Sequence, residues 1–268
     1  MKIFPSPICF ALAAALLGGC AKNSSAVYQG YIEGEYVYVA APLGGALNHL
    51  AVARGDAVKK GQLLFELERQ SEAAALTVAE KNLAQANASL TLSESTFQRR
   101  KELRNSPSAV ISAEELDKAR SQRDADTAQV ASQQAALDKA KWSFDKKQQF
   151  APADAQVHDT LYRQGEWVAA GNPVVVLLPP ENLKVRFFVP QEVLPQIKVG
   201  QPVSIQCDGA PRAIKAVVNY ISTQVEYTPP VIYSRETRAN LVFMIEAKIP
   251  LADAADVRPG QPADVSLN

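Results

Sequence analysis

The cysteine at position 20 carries the clearest reactive chemistry in the chain. It follows a basic start at Lys2, an apolar run that ends at Leu17, and the two glycines Gly18 and Gly19. A short apolar run that ends in small residues is typical of a secretory signal with its cleavage site. A thiol directly after such a site is placed for acylation. The sequence therefore predicts that Cys20 becomes the lipid-bearing first residue of the mature chain.

Two alternatives to lipid attachment follow from the same segment. A membrane-spanning anchor is disfavoured because the apolar run, from Ile8 to Leu17, is shorter than the roughly 20 residues that a spanning helix needs. An ordinary cleaved signal remains open. The segment Leu17-Gly18-Gly19-Cys20 resembles the lipobox of bacterial lipoproteins, and this position of the cysteine favours the lipid anchor.

The residues that could support catalysis are isolated from one another. His49 and His158 have no cysteine, second histidine or carboxylate pair near them in sequence, so they are predicted to be structural or surface residues. The pair Glu114 and Glu115 falls at the start of a predicted helix, where negative charge interacts favourably with the helix dipole. The sequence therefore predicts a protein that is not an enzyme and holds no metal or cofactor.

Cysteine usage and net charge limit the function further. Cys9 leaves with the signal and Cys20 is acylated, which leaves Cys207 without a partner; we predict a buried strand residue there and no disulfide. The 28 lysines and arginines balance the 28 aspartates and glutamates. A nucleic-acid partner is not expected, because it would require a basic excess.

Two well-separated segments repeat the pattern Gly-[Asp/Glu]-x-Val-x-x-Gly, at residues 55–61 and 165–171. Each is preceded by an Ala-Pro pair, at 41–42 and 151–152. The Gly-acid pairs are typical of tight turns, and the flanking apolar residues alternate as in strands. We interpret the repeats as two halves of one β domain.

The chain between the two halves is predicted to be a helical hairpin. Apolar residues recur every seven positions in two series, Leu76, Leu83, Leu90 and Phe97, then Leu116, Val130, Leu137 and Phe144. Arg123 interrupts the second series. The predicted helices, Arg69–Leu103 and Ser112–Gln148, flank a turn that contains Pro107, which favours an antiparallel pair over one continuous rod.

The order of these elements predicts a mixed α and β fold. Because the hairpin enters after Glu68 and leaves at Phe150, the two β halves must lie side by side. From Leu183 onward, alternating apolar runs with Pro and Gly punctuation indicate an all-β region. Within it, the phrase at 199–203 recurs in similar form at 259–263.

These residues resemble the HlyD family of periplasmic adaptors, the membrane fusion proteins. The resemblance implies an antiparallel coiled-coil α-hairpin inserted into a split lipoyl-like β domain, followed by a β-barrel. The implied segments are a signal peptide at 1–19, a lipidated linker at 20–35, β halves at 36–68 and 150–180, the hairpin at 69–149 and the barrel at 181–268. A lipoyl carrier role is not expected, because the hairpin replaces the turn that would bear the modified lysine.

The resemblance also implies a binding site at the hairpin tip. In the family, this tip docks into a TolC-like outer-membrane channel through a pattern that Arg99, Leu103 and Ser112 match, with a turn two residues longer here. The alternative interpretation is structural: a solvated basic end, with Ser112 and Glu115 forming a capping box.

The implied partners are an inner-membrane exporter, with the ABC type favoured over major-facilitator or other types, and a TolC-like channel. Self-association into a ring such as a hexamer is also implied. The implied location is the periplasm, anchored by lipid. Function favours the inner membrane, whereas Ala21 beside the lipid site argues for the outer one. A stand-alone envelope lipoprotein that acts as a scaffold or regulator is the second hypothesis.

Overall fold

The computed structural model describes residues 26–106, 111–209, 212–227 and 241–267. The predicted lipid site, Cys20, and the hairpin residue Pro107 lie outside them. The strands, in chain order, are β1 (Val27–Gly34), β2 (Val37–Ala40), β3 (Gly45–Leu50), β4 (Ala57–Val58), β5 (Leu63–Leu67), β6 (Gln148–Phe150), β7 (Ala155–Thr160), β8 (Trp167–Val168), β9 (Pro173–Leu178), β10 (Leu183–Pro190), β11 (Pro202–Cys207), β12 (Ile214–Tyr227), β13 (Leu241–Lys248) and β14 (Pro262–Leu267). The long helices are α1 (Gln70–Asn105) and α2 (Ala113–Asp145), and short 3-10 helices cover Pro180–Asn182, Leu194–Gln196 and Leu251–Asp256. No helix in these ranges combines the length and the apolar character that crossing a bilayer requires.

The chain divides into two compact units, and the first is a closed β-barrel. Its strands pair in the order β1-β10-β13-β12-β11-β14, and every pairing is antiparallel. Alternate residues of β10, from Leu183 to Val189, are buried in the interior. The predicted linker at 20–35 is wrong for residues 27–34, because β1 pairs with both β10 and β14 and thereby closes the barrel.

The second unit, Glu35–Asn182, contains the hairpin and a β domain in two sheets. The sheets have the strand orders β2-β9-β7-β4 and β6-β5-β3-β8, so each one combines strands from before and after the hairpin. Their shared core includes Leu47, Phe65, Val157 and Leu177, each at most 1% exposed. We call strands β2 to β9 the split β domain. The predicted fold class is confirmed.

The repeated Gly-acid turns tie the two halves of the split β domain together reciprocally. Gly55 has φ +95° and its N–H donates to the carbonyl of Val157 at 2.8 Å. Gly165 has φ +93° and its N–H donates to the carbonyl of Leu47 at 2.8 Å. Both glycines adopt the left-handed conformation that other residues avoid. The turn of each half therefore donates a hydrogen bond to the other half. Two structurally related halves are expected to make such reciprocal contacts.

The acidic residue of each turn also has a structural role. Asp56 accepts a hydrogen bond from the N–H of Ala53, and Glu166 accepts one from the N–H of Arg163, both at 2.8 Å. In the barrel, Gln201 and Gln261 accept the equivalent bonds after their own glycines. The shared spacing of the glycine and its acidic neighbour in the two repeats thus encodes a turn.

The second helix ends earlier than predicted. We expected it to continue to Gln148, but α2 ends at Asp145 and Lys146 is its C-cap. Residues 148–150 form β6 instead, which pairs with β5. Hydrogen bonding to a strand far away in sequence therefore overrides the local helical pattern.

Candidate partner-binding site at the hairpin tip

The hairpin is a narrow two-helix coiled coil held by small side chains. Its buried residues are mostly small: Ala79, Ala86, Ser93, Ala119 and, as the one large side chain among the described positions, Phe97. Small residues let the two helix backbones approach closely. At 36 and 33 residues, the helices are about 54 and 50 Å long.

Arg123 interrupts the heptad pattern with a polar side chain. This side chain nevertheless contacts the facing helix. Its guanidinium lies 4.4 Å from the centroid of the Phe97 ring, and Arg120 lies 6.0 Å from the same ring. Arg123 also lies 3.8 Å from a carboxylate oxygen of Glu94 on the facing helix. A cation above an aromatic face is attractive, so the interruption is a cation–π contact across the hairpin.

Two arginines close the tip by binding main-chain carbonyls of the returning segment. Arg100 Nη1 donates to the carbonyl of Glu115 at 3.0 Å. Arg104 Nη1 donates to the carbonyl of Ile111 at 2.7 Å. These two cations are therefore engaged within the hairpin itself.

Ser112 is engaged in capping α2. Its Oγ accepts the N–H of Glu115 at 3.2 Å, and a carboxylate oxygen of Glu115 accepts the N–H of Ser112 at 3.2 Å. This reciprocal pair is a complete capping box. Glu114 and Glu115 occupy the first turn of α2, where the sequence predicted a favourable interaction with the helix dipole.

Arg99 and Leu103 lie one turn apart on α1 and share an outward face. Leu103 is 51% exposed. Arg99 is exposed, and among the described residues its hydrogen bond stays within its own helix, where its Nε donates to the carbonyl of Ser95 at 3.3 Å. The structure thus brings Arg99 and Leu103 together, while the side chain of Ser112 bonds to Glu115.

A groove beside the tip was missed at the level of sequence. A cavity of about 590 Å³ opens between the helices; its lining includes Leu92, Thr96 and Arg100 from α1, and Lys118 and Gln122 from α2. Leu92 is 66% exposed. Leu92 does not belong to the seven-residue series of α1. An apolar residue outside that series is the sequence signal that indicates an apolar position away from the helix interface.

The other candidates for chemistry lie apart from the tip. The His158 ring lies against the Tyr36 ring, with centroids 4.3 Å apart and the ring planes tilted by 37°. Cys207 is fully buried in β11, and burial raises the pKa of its thiol. Within the described ranges, no group of three or more His, Cys, Asp or Glu side chains is arranged to hold a metal ion.

The hairpin is similar in sequence to that of a known protein family. A family model described as the α-helical hairpin domain of RND membrane fusion proteins matches residues 75–146. A UPF0194 membrane protein of Citrobacter koseri is 25% identical, over 96% of this chain and 95% of its own length. The UPF0194 membrane protein YbhG of Salmonella newport is 26% identical, over 89% and 87%.

Two solved structures share the fold. The membrane fusion protein Spr0693 of Streptococcus pneumoniae R6 superposes with a TM-score of 0.68 at 20% identity, over 91% of this chain and 99% of that one. MacA of Actinobacillus actinomycetemcomitans superposes with a TM-score of 0.71 at 16% identity, over 91% and 78%. The expected resemblance to the membrane fusion proteins is thus confirmed by the hairpin sequence and by the fold.

Proposed function

We propose that this chain is a non-enzymatic periplasmic adaptor that bridges an inner-membrane exporter to a TolC-like outer-membrane channel. The hairpin tip docks the channel, and the β domains face the exporter. The ABC class of exporter is favoured, because the phrase at residues 31–42 resembles adaptors that accompany such exporters. The lipid on Cys20 anchors the chain at the inner membrane in this proposal.

The proposal rests on the different contacts that the basic residues at the tip make. Arg100 and Arg104 bind carbonyls of the returning segment, which shapes the tip. Arg99 and Leu103 are exposed beside them, and among the described residues Arg99 forms no hydrogen bond with α2. An exposed leucine next to an exposed arginine is a suitable contact pair for another protein, since arginine is enriched at interfaces.

A charge-reversal experiment tests docking. The Arg99→Glu, Leu103→Ser double variant should lose photo-crosslinking between the hairpin tip and the channel in cells, and should lose export. Its melting temperature should stay unchanged, because surface substitutions cost at most about 0.5 kcal/mol. Equal loss of melting temperature and of export would show that the two side chains are structural.

The hairpin offers a matched control for this experiment. Lys101 is exposed two residues from Arg99 and points to the other side of α1. Lys101→Glu makes the same change in charge as Arg99→Glu, at a position between Arg99 and Leu103 along α1. It should retain crosslinking; if it abolishes crosslinking as fully as the double variant, net charge rather than the Arg99 face governs binding.

Ring formation is part of the same proposal. Leu92 is 66% exposed and lies beside the groove between the helices. In a ring, each subunit contacts its neighbour head to tail, so a neighbouring hairpin would cover this leucine. Leu92→Glu should weaken self-association in sedimentation experiments; an unchanged assembly would exclude this face.

A further inference from the structure

The root of the hairpin is attached to the split β domain by two adjacent chain links. One link joins β5 to α1 and the other joins α2 to β6. They are tied side by side, because the N–H of Leu67 donates to the carbonyl of Lys147 at 2.8 Å. A line through the two neighbouring links is an axis about which the hairpin could rotate. The covalent connections alone do not prevent that rotation. A third contact, away from the links, is needed to fix the tilt.

Lys147 supplies such a contact. Its Nζ donates to the carbonyl of Gly44 at 2.8 Å, in the loop between β2 and β3, and lies 2.9 Å from Oε1 of Glu72. Glu72 is in the first turn of α1. A single ammonium therefore joins a loop of the split β domain to the start of one helix and the end of the other. We call Lys147, Glu72 and the Gly44 carbonyl the root cluster.

The root cluster is buried and charged. Lys147 is only 4% exposed. Burial alone would raise the pKa of Glu72, but the hydrogen bonds donated by Lys147 and by Ser71 outweigh it, and the pKa lies below its ordinary value. A buried ion pair depends strongly on both partners, because removing one leaves the other charge uncompensated.

The loop lies close to the root cluster but leaves space next to it. A Cβ added at Gly45 would lie 3.1 Å from Lys147 Nζ, and one added at Gly44 would lie 3.0 Å from the carbonyl oxygen of Val168. Nearby, a cavity of about 500 Å³ is lined by Leu43 of the loop and, on the hairpin, by residues that include Ala75, Ala136 and Ala140. The polar contact of Lys147 therefore holds the loop beside the hairpin next to open space.

A second polar contact at the root does not involve this loop. The Arg69 guanidinium lies 4.5 Å from the centroid of the Phe144 ring, and its Nε lies 3.4 Å from Glu66 Oε1. These residues belong to the links and to the strand and helix that the links join. This contact strengthens the attachment of the hairpin to the split β domain. It does not involve the loop between β2 and β3, so the root cluster is the contact that fixes the tilt toward that loop.

We propose that Lys147 is a positioning residue that locks the tilt of the hairpin on the split β domain. While the root cluster is intact, the tip points in one direction. When the cluster opens, the cavity beside Leu43 gives the hairpin room to tilt. The proposal concerns the same hairpin as the proposed function, but it does not depend on which partner the tip binds.

Distance measurements between two spin labels test the lock without any partner protein. The labels are placed on the full chain at the exposed residues Asn87 of α1 and Arg54 of the split β domain. Asn87 lies 17 residues beyond the start of α1, or about 26 Å, so a tilt of about 10° displaces it by roughly 4–5 Å. Double electron–electron resonance resolves a shift of this size.

Lys147→Met should broaden or shift the distance distribution by several ångströms, because it keeps an unbranched apolar stem and removes the ammonium. Lys146→Met is the matched control: the neighbouring lysine is exposed, and this change should leave the distribution as in the wild type. If Lys147→Met folds and its distribution matches the wild type, the proposal is overturned. If Lys147→Met does not fold, Glu72→Ala decides in the same way, since it releases α1 from the cluster.

Discussion

Truncation of Phe97 should destabilise the hairpin while leaving the stability of the split β domain unchanged. Phe97 is 5% exposed, and the other buried residues of the hairpin are alanines and one serine. Truncating a buried phenylalanine to alanine costs about 3–5 kcal/mol. We expect about 3 kcal/mol here, because only one neighbouring helix covers the ring.

Hydrogen exchange measures this effect locally. A loss of about 3 kcal/mol corresponds to a loss of more than about 100-fold in the protection of hairpin amides. Protection in β3, β5 and β9 should be retained, since their core does not include Phe97. Leu92→Ala is the control on the same helix. Leu92 is 66% exposed, so its truncation should change stability by at most about 0.5 kcal/mol.

The cation–π contact can be separated from simple burial. Phe97→Leu keeps most of the apolar volume but removes the ring, and Arg123→Met keeps the aliphatic stem but removes the charge. A double-mutant cycle on these two changes should give a coupling of about 0.5–1 kcal/mol. A coupling of zero, or equal effects of Phe97→Ala and Leu92→Ala on protection, would refute the role assigned to this pair.

Three further predictions concern the barrel and the anchor. Gly30→Ala should destabilise the barrel by about 1–3 kcal/mol in urea unfolding, because a Cβ there would lie 2.7 Å from Phe187 Cβ and would also clash with the carbonyl oxygen of Arg186; a neutral effect would contradict the tight β1–β10 approach. For Glu246, burial opposes ionisation, but hydrogen bonds from Lys184 and Arg186 lower the pKa below its ordinary value. The stabilisation from ionised Glu246 is complete above the pKa of the unfolded state and is lost as the pH falls through the lower pKa of the folded state. Glu246→Gln should therefore reduce the loss of stability at acid pH. A pH profile of stability identical to that of the wild type would contradict this prediction. Cys20→Ser should release the protein from membranes and remove the acyl mass from the mature chain; unchanged fractionation and mass would exclude the lipid anchor.

The elements that sequence predicted well are those with local signals. The hairpin followed from the seven-residue spacing of Leu76 to Phe97, and the split β domain followed from two similar turns. In each case neighbouring residues carry the pattern. The turn glycines were visible because a positive φ restricts the residue type at that position.

The elements that sequence missed depend on distant partners. The segment 27–34 contains two glycines, and its partners β10 and β14 lie about 150 residues or more further along the chain. No local pattern indicates such a pairing. The same holds for residues 148–150, which a helical pattern covers but which pair with β5. The secondary structure of these two segments is determined by pairing with strands far away in the sequence. A single sequence does not reveal such pairing.

The site was predicted only in part, for a chemical reason. Arg99, Arg100 and Arg104 are the same residue type within six positions, so the sequence does not show which of them binds the returning segment. The structure assigns Arg100 and Arg104 to that role, whereas the hydrogen bond of Arg99 stays within α1. Ser112 matched a docking pattern and a capping box equally well in sequence, and its hydrogen bonds are those of the capping box.

Both ends of the hairpin use a cation on a main-chain carbonyl to fix their geometry. At the tip, Arg100 and Arg104 bind the carbonyls of Glu115 and Ile111; at the root, Lys147 binds that of Gly44. Carbonyls are acceptors whatever their side chains are, so these contacts fix shape without constraining the sequence of the partner segment. The surface of an arm can therefore vary while its tilt and its tip stay fixed. It follows that variants at Lys147, Arg100 and Arg104 should alter the position or shape of the tip, whereas a variant at Arg99 should alter only what the tip binds.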